Sequence, residues 1–171
     1  MTEIHVVSGR LPHDRLLPAI LGREVTLSRG RYGKPMTAER KPIYFNTAHT
    51  ASLTFLALAD CEIGIDAEEI GDYDEAVLPL YFTAAEIEGC RAAGNPKEAF
   101  YKLWTQKESY LKYLGTGFHK SPLSVELDPY SSAFFDRDKN CFFMHLIYDR
   151  RIAVSICMQK QGEVLWRKLE D

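Results

Sequence analysis

Apolar and polar residues follow two different rhythms along this chain, and each rhythm predicts a different kind of element. Leu53–Ala59 is a continuous apolar run, and Glu62–Glu68 alternates apolar with polar side chains. Both patterns predict β-strands. Ile43–Asn46 predicts another strand, and the basic, turn-rich segment 28–41 before it predicts a loop.

The middle of the chain changes to the helical period. Thr83 and Glu86 have the spacing of a capping box, in which each side chain bonds the backbone N–H of the other residue. Asn95 suits the N-cap of a second helix, Pro96 suits its first position, and Gly115 suits the residue after its end. Apolar residues recur between them at intervals of three or four. We therefore expect a long helix over 96–114.

Strand patterns return in the last third. Ser124–Leu127, Cys141–Tyr148 and Ile152–Met158 are candidate strands, and Asp149-Arg150 would be the turn between the last two. Helices placed between groups of strands predict an α+β fold. A length of 171 residues suits one large domain or two small lobes.

Composition narrows the classes of function. Asp and Glu number 24 against 21 Lys and Arg, which argues against a nucleic-acid-binding protein. No signal peptide and no membrane-length apolar run are apparent, so we expect a cytoplasmic protein that does not enter membranes. The cysteines form no C-x-x-C pair, so we expect free thiols and no zinc site; they are Cys61, Cys90, Cys141 and Cys157.

Two carboxylates share one face of the strand at 62–68. Side chains alternate along a strand, so Asp66 and Glu68 point to the side opposite Ile63 and Ile65. Their Cα atoms would be roughly 6.5–7 Å apart, close enough to converge on one hard cation such as Mg²⁺. The alternative is an exposed acidic face of an edge strand.

Charged residues recur on the predicted long helix as well. Trp104, Glu108 and Lys112 lie on one i, i+4 row. The alternative is an ordinary surface Glu–Lys pair. His49 follows the strand at 43–46, and the basic loop 28–41 precedes that strand, so the two could bind an anion together. Here the alternative is a structural histidine beside a solvated loop.

Five motifs in a fixed order favour a functional site over the structural alternatives given above. They are GKP at 33–35, FNTAH at 45–49, GIDAE at 64–68, FTAAE at 82–86 and WTQKESYLK at 104–112. This order resembles the 4′-phosphopantetheinyl transferases of the surfactin-synthetase-activating (Sfp-like) type. The resemblance implies two pseudo-symmetric α+β lobes with the active site in the cleft between them. Residues 1–60 would form a shortened first lobe and 61–171 the second, together one compact unit.

The resemblance also implies an activity. Enzymes of this family transfer the 4′-phosphopantetheine group of coenzyme A to a serine of an apo carrier protein, release 3′,5′-ADP and depend on Mg²⁺. Asp66, Glu68 and Glu108 would be the Mg²⁺ ligands, and Glu108, Lys112 and Asp66 the catalytic group. Glu108 would take the proton of the carrier serine, and Lys112 would neutralise the leaving phosphate.

Contacts to coenzyme A are implied for a further set of basic residues: Lys34, His49, Arg31, Arg15 and Lys112. Trp104 is expected to be a packing anchor, and Lys107 either structural or a phosphate contact. The expected partners are coenzyme A and an apo acyl or peptidyl carrier protein, and the expected state is a monomer, with a homodimer as the alternative.

Two alternative functions stay open at this point. A metal-dependent phosphohydrolase would use the same carboxylates to activate water. A non-catalytic coenzyme A or nucleotide-binding module is favoured by the short first lobe. It is favoured also by Ala48, where the family commonly has a serine. The complete set of Asp66, Glu68, Glu108 and Lys112 favours the transferase, because binding alone does not need these residues.

Overall fold

Two four-stranded sheets form the centre of the structure, a computed structural model that describes residues 1–127, 133–136 and 140–169. Apolar side chains from both sheets form one shared core cluster. Helices pack on the other face of each sheet. The α+β class predicted from the sequence is confirmed.

The first sheet contains the N-terminal strands and the last strand. In chain order its part of the fold comprises β1 (Thr2–Ser8), α1 (His13–Leu21), a hairpin of β2 (Leu27–Arg29) and β3 (Pro35–Thr37), β4 (Tyr44–His49) and β5 (Leu53–Ala59). The strand order is β10-β1-β5-β4, where β10 is Val164–Leu169 and runs parallel to β1. The final strand therefore adds to the N-terminal sheet.

The second sheet is assembled around the long helix. Its elements are β6 (Ile63–Glu69), α2 (Leu78–Tyr81), α3 (Ala84–Ala92), α4 (Pro96–Leu114), β7 (Ala133–Asp136), β8 (Cys141–Tyr148) and β9 (Ile152–Met158). The strand order is β6-β9-β8-β7, and all pairs are antiparallel.

A strand, a helix and a hairpin follow one another in both halves. The series β1-α1-β4-β5 and the series β6-α4-β8-β9 both place the last strand between the other two, antiparallel to each. The helices differ in length, since α1 has 9 residues and α4 has 19. The outer face of the first sheet is therefore covered by a much shorter helix than that of the second.

The alternation along β6 works as the sequence predicts. Ile63, Ile65 and Ala67 are buried in the core between the sheets, which leaves the opposite face of the strand to Asp66 and Glu68. The edges of the two sheets are joined at this point, because the backbone N–H of Ile65 donates to Oδ1 of Asn46 at 3.1 Å.

Most of the predicted elements are confirmed. α4 begins after its N-cap Asn95 and ends before Gly115, which has the left-handed φ of 69° expected of a C-cap glycine. The capping box of Thr83 and Glu86 is present. The turn between β8 and β9 has positive φ at Asp149 and Arg150, which suits a tight hairpin.

Two predictions about local structure are wrong. Ser124–Leu127 is not a strand: a 3₁₀ turn spans Pro122–Ser124, and an irregular segment follows it. Val125 and Leu127 are buried in the core, so the alternation of apolar residues in this segment reflects their burial and not a β-strand. The segment 28–41 also contains the β2–β3 hairpin within the expected loop. In the described part of the chain, no helix is both long enough and apolar enough to span a bilayer.

A buried ion pair connects the helices of the second half. The side chains of Lys107 and Glu86 are each 2% exposed, and Nζ lies 2.7 Å from Oε2. Nζ also donates to the carbonyl oxygens of Tyr81 (3.0 Å) and Pro122 (3.1 Å). Oε1 of Glu86 accepts from the N–H of Leu127 at 2.9 Å. Of the two roles expected for Lys107, the structural one is the role that these contacts support.

Gly64 marks the point where α4 crosses β6, and a Gly64→Ala substitution tests this close approach. A Cβ at this position would lie 2.0 Å from the carbonyl oxygen of Ser109 and 2.4 Å from the backbone nitrogen of Tyr113. Both are backbone atoms, so the helix itself would have to move. We expect Gly64→Ala to lower the free energy of unfolding by about 3 kcal/mol, the upper part of the range for overpacking.

Urea unfolding monitored by circular dichroism measures this loss. Gly94→Ala is the matched control, because a Cβ there would meet nothing within 4 Å. Equal stability of the two variants would contradict the crossing described here.

Candidate active site

The predicted carboxylates and lysine meet where α4 crosses β6. Asp66 and Glu68 come from the strand, and Glu108 and Lys112 come from successive turns of the helix above it. Nζ of Lys112 donates to Oδ1 of Asp66 at 2.7 Å and approaches the carbonyl oxygen of Thr47 at 3.5 Å. The site therefore adjoins β4 of the first sheet as well.

The acidic side chains of the site repel one another. Burial, together with the charges of Asp66 and Glu68, raises the pKa of Glu108 to about 7 against the opposing effect of Lys112. Burial and the charge of Asp66 also raise the pKa of Glu68. A site that crowds three carboxylates around one ammonium would be stabilised by a further cation.

One oxygen of the site is free to act as a metal ligand. Oδ2 of Asp66 is buried and has no hydrogen-bond partner among the residues that the structure describes, while Lys112 occupies Oδ1. Within residues 1–127, 133–136 and 140–169, no three acidic, histidine or cysteine side chains are arranged tightly enough to hold a metal ion by themselves. Carboxylate oxygens suit Mg²⁺, which usually keeps water or phosphate oxygens as its other ligands. The residues therefore fit such an ion, although they do not form a complete cage.

Trp104 has a contact that its expected packing role does not include. Its indole N–H is a potential donor to Glu68, and it lowers the pKa of that carboxylate against the larger effect of burial. The ring packs against three other aromatic rings, with centroid distances of 4.7 Å to Tyr81 and 6.2 Å to both Phe82 and Phe100. The aromatic cluster thus holds the indole that acts on Glu68.

A basic cluster lies beside the carboxylates. Nδ1 of His49 lies 3.0 Å from Oγ1 of Thr54. The pKa of His49 is lowered, first by burial and then by the positive charges of Arg10, Lys112 and His13. Positive groups that raise one another's electrostatic energy are stabilised by an anion, so this cluster is suited to a phosphate.

Lys34 is bound by acceptors of the protein itself. Its Nζ donates to Oε2 of Glu62 (2.8 Å) and to the carbonyl oxygens of Ile63 (3.2 Å) and Tyr113 (3.0 Å). These bonds attach the basic loop to the start of β6 and the end of α4. A cleft of about 270 Å³ lies between Lys34 and Lys112. Lys34 therefore forms a wall of the cleft next to the carboxylates.

The two predicted arginines are more peripheral. Arg31 is exposed, and its guanidinium lies 5.3 Å from the ring centre of Tyr32, which lines the cleft. Arg15 is exposed on α1 and is not among the charges that shift the pKa of His49. For both residues a contact with coenzyme A stays a prediction.

Sequence reasoning undervalued the turn between β1 and α1. Arg10 and His13 are not among the predicted site residues, yet the positive charges of both lower the pKa of His49. The available signal was a pair of basic residues directly after an alternating strand. Ala48 is only 1% exposed in the core between the sheets, so a hydroxyl there would face Ile4 and Phe55 rather than this basic cluster.

A polar row continues from the site beneath α4. Ser155 is opposite Asp66 in one strand pair and opposite His145 in the next. Its Oγ lies 2.7 Å from Oγ1 of Thr105 on α4 and 3.0 Å from Nδ1 of His145. Burial lowers the pKa of His145 to about 4, so the imidazole is neutral at pH 7.

This buried histidine predicts acid sensitivity. Between pH 6.5 and about 4 the unfolded chain binds a proton at His145 and the folded chain does not, so stability falls as the pH falls through this range. The full effect is about 3 kcal/mol. We expect His145→Gln to lose that part of the pH dependence in urea unfolding measured at pH 7.5 and pH 4.5. An equal loss of stability between the two pH values in parent and variant would contradict this prediction. The comparison isolates His145, because His5 and His49 are present in both proteins.

Comparison with known proteins identifies the family of this chain. Residues 62–159, more than half of the chain, match the 4′-phosphopantetheinyl transferase superfamily. The chain belongs to this superfamily. The matched residues include all three carboxylates and Lys112, whereas His49 and Arg10 lie outside the matched range.

Curated relatives agree with the family. The chain is similar to the 4′-phosphopantetheinyl transferase psf-1 of Bacillus pumilus, with 27% identity over 135 residues, 75% of this chain and 58% of psf-1. It is also similar to Sfp of Bacillus subtilis (strain 168), with 28% identity over 127 residues, 69% of this chain and 54% of Sfp. For gsp of Aneurinibacillus migulanus the identity is 29% over 102 residues, 58% of this chain and 42% of gsp. The chain thus spans about half the length of these relatives.

Proposed function

We propose that this protein transfers the 4′-phosphopantetheine group of coenzyme A to a serine hydroxyl of an apo carrier protein and releases 3′,5′-ADP. The observation that carries the proposal is the meeting of Glu108, with its pKa raised to about 7, and Lys112 at Asp66. A general base works best when its pKa is near the operating pH, and this carboxylate meets that condition. Family membership supports the same reaction class.

Asp66, Glu68 and Glu108 would hold a Mg²⁺ ion, with the unpartnered Oδ2 of Asp66 as one ligand atom. When bound, Mg²⁺ supplies positive charge that neutralises the pyrophosphate of coenzyme A and the charge that develops at phosphorus. Trp104 acts on the Glu68 carboxylate through its indole N–H. Lys112 then balances the remaining negative charge, since its ammonium lies between β6 and β4.

The proposed step is a displacement at phosphorus. Glu108 accepts the proton of the carrier serine hydroxyl, and the serine oxygen forms a bond to the phosphorus that bears the pantetheine arm. The bond from that phosphorus to the bridging oxygen breaks, and the electron pair leaves with 3′,5′-ADP. Lys112 neutralises the phosphate that is released, because its ammonium is a compact point charge on a flexible stem.

Coenzyme A would place its 3′-phosphate and neighbouring groups against the basic cluster. His49 and Arg10 are the closest candidates for this contact, and Lys34, Arg31 and Arg15 are candidates around the rim. The repeated order of strand, helix and hairpin supports two pseudo-symmetric lobes with the active site in their cleft. We propose a cytoplasmic monomer as the working form.

Intact mass spectrometry tests the reaction directly. An apo acyl carrier protein incubated with this protein, coenzyme A and Mg²⁺ should gain the mass of one phosphopantetheine group. The gain should disappear in EDTA and return when excess Mg²⁺ is added. If no carrier in a panel of acyl, peptidyl and aryl carriers is modified while coenzyme A still binds, the proposal fails and a binding module is the better account.

A His49→Ala variant tests the phosphate contact. One hydrogen bond to a charged group contributes about 1.5–3 kcal/mol, which corresponds to about 10–100-fold in affinity. We expect calorimetric titration to show that loss for coenzyme A and a much smaller one for dephospho-coenzyme A, which lacks the 3′-phosphate. Equal losses for the two ligands would assign His49 a general structural role.

A further inference from the structure

An open cavity of about 740 Å³ lies on the first sheet, away from the site. It is formed by the end of α1, the segment that leads into β4, and the last residues of β5. The basic cluster is at the other end of the same strand, because β5 runs from Thr54, next to His49, to Leu58 at the cavity. At about 3.3 Å per residue the two places are roughly 13 Å apart.

The short first helix creates this cavity. α1 ends at Leu21, and Gly22 follows with a left-handed φ of 65°, so the helix cannot continue over the end of the sheet. The corresponding helix of the second half, α4, is ten residues longer (19 against 9). Leu21, Ile43 and Leu58 consequently form the apolar floor of the cavity beyond the end of α1.

Charge at the rim of the cavity is unbalanced. Each acidic side chain there already has a cationic partner: Glu39 with Arg23 (2.6 and 2.8 Å), Glu3 with Arg167 (3.0 Å) and Asp60 with the amino group of Met1 (3.2 Å). Arg40 and Lys41 line the same rim and are exposed, and neither forms an ion pair with any residue that the structure describes. The unpaired charge next to the apolar floor is therefore positive.

We propose that this cavity binds a free medium-chain fatty carboxylate, with its chain on the apolar floor and its carboxylate at Arg40 and Lys41. The volume falls within the range of about 300–1,000 Å³ that small-molecule sites occupy. An apolar floor with charge only at its edge suits a ligand whose polar atoms are all at one end. The site is additional to the proposed transfer reaction and does not depend on it.

Calorimetric titration of the full chain with sodium dodecanoate, below its micelle concentration, tests the site. We expect saturable binding of one molecule per chain. Hexanoate has the same head group and half the chain, and should bind at least 100-fold more weakly. Dodecyltrimethylammonium has the same chain and the opposite charge, and should bind at least 10-fold more weakly. Absence of saturable dodecanoate binding, or equal binding of the cationic amphiphile, would overturn the proposal.

Charge variants locate the bound carboxylate. Lys41→Glu should weaken dodecanoate binding at least 10-fold, whereas Lys97→Glu, at an exposed lysine of α4 whose partner Asp72 does not line the cavity, should leave it unchanged. Unchanged affinity of the Lys41→Glu variant would overturn the assignment.

Two further arms distinguish binding in this cavity from binding in the active-site cleft or to a membrane. Saturating coenzyme A should not alter the affinity for dodecanoate, and competition would place the ligand in the active-site cleft and refute the cavity. Binding to phosphatidylglycerol vesicles without binding of free dodecanoate would refute it in favour of a membrane surface. Neither outcome bears on the transferase proposal, which the carrier modification tests separately.

Discussion

Glu108→Gln is expected to lower the rate of carrier modification by about 10²–10⁴-fold, the range that a general base contributes. The amide keeps the size of the side chain but cannot accept the serine proton. Folding should not suffer, because the substitution removes one of three crowded carboxylates whose mutual repulsion raises the pKa of Glu108. The measurement is initial-rate mass spectrometry of the carrier, with thermal unfolding of the same preparations.

Glu88→Gln is the matched control for this variant. Glu88 is an exposed residue of α3, and its substitution should leave both the rate and the melting temperature unchanged. A Glu108→Gln protein that turns over at the parent rate would refute the proposed base. A slow variant that has also lost its melting transition would show instead that Glu108 is needed for folding.

Lys107→Met is expected to lower the free energy of unfolding by about 3–5 kcal/mol, the effect of removing one partner of a buried ion pair. The variant would leave the carboxylate of Glu86 buried without its ammonium partner. It would also leave the carbonyl oxygens of Tyr81 and Pro122 without their donor. Urea unfolding at pH 7 measures the loss.

Two variants show whether the effect comes from the buried charge. Lys107→Met combined with Glu86→Gln should recover part of the stability, because no charge stays buried and the amide oxygen keeps one of the two bonds that Glu86 accepts from the backbone N–H groups of Thr83 and Leu127. Lys97→Met removes an exposed pair with Asp72 and should change stability by less than about 1 kcal/mol. A Lys107→Met protein as stable as Lys97→Met would contradict the structural role of Lys107.

Local signals in the sequence were sufficient for the helix and strand that carry the candidate site. Asn95 and Gly115 fix the ends of α4 by cap chemistry, which depends only on neighbouring residues. The alternation on β6 assigns Asp66 and Glu68 to one face without knowledge of the partner strand. The meeting of Glu108 with these carboxylates came from the family resemblance, since spacing along one helix cannot identify the strand below it.

α1 and β10 lack such local signals. α1 has Pro12 at its N-cap without a side-chain bond to the first turn, and it contains Pro18. β10 is recognisable as part of the first sheet only through its pairing with β1, more than 150 positions earlier. The incorrectly predicted strand at 124–127 did have a local signal. Val125 and Leu127 alternate with polar residues because both are buried, but the backbone N–H of Leu127 donates to the side chain of Glu86 and not to a neighbouring strand.

The parallel pairing of β10 with β1 imposes an order of events during synthesis. β1, β4 and β5 can pair as soon as residue 60 has left the ribosome, but the outer edge of β1 meets its partner only when Val164–Leu169 emerge. Until then, a strand edge with free N–H and carbonyl groups is open to other chains. We therefore expect the nascent protein to be most prone to aggregate while its second half is being made, and chaperone dependence to end with the last strand.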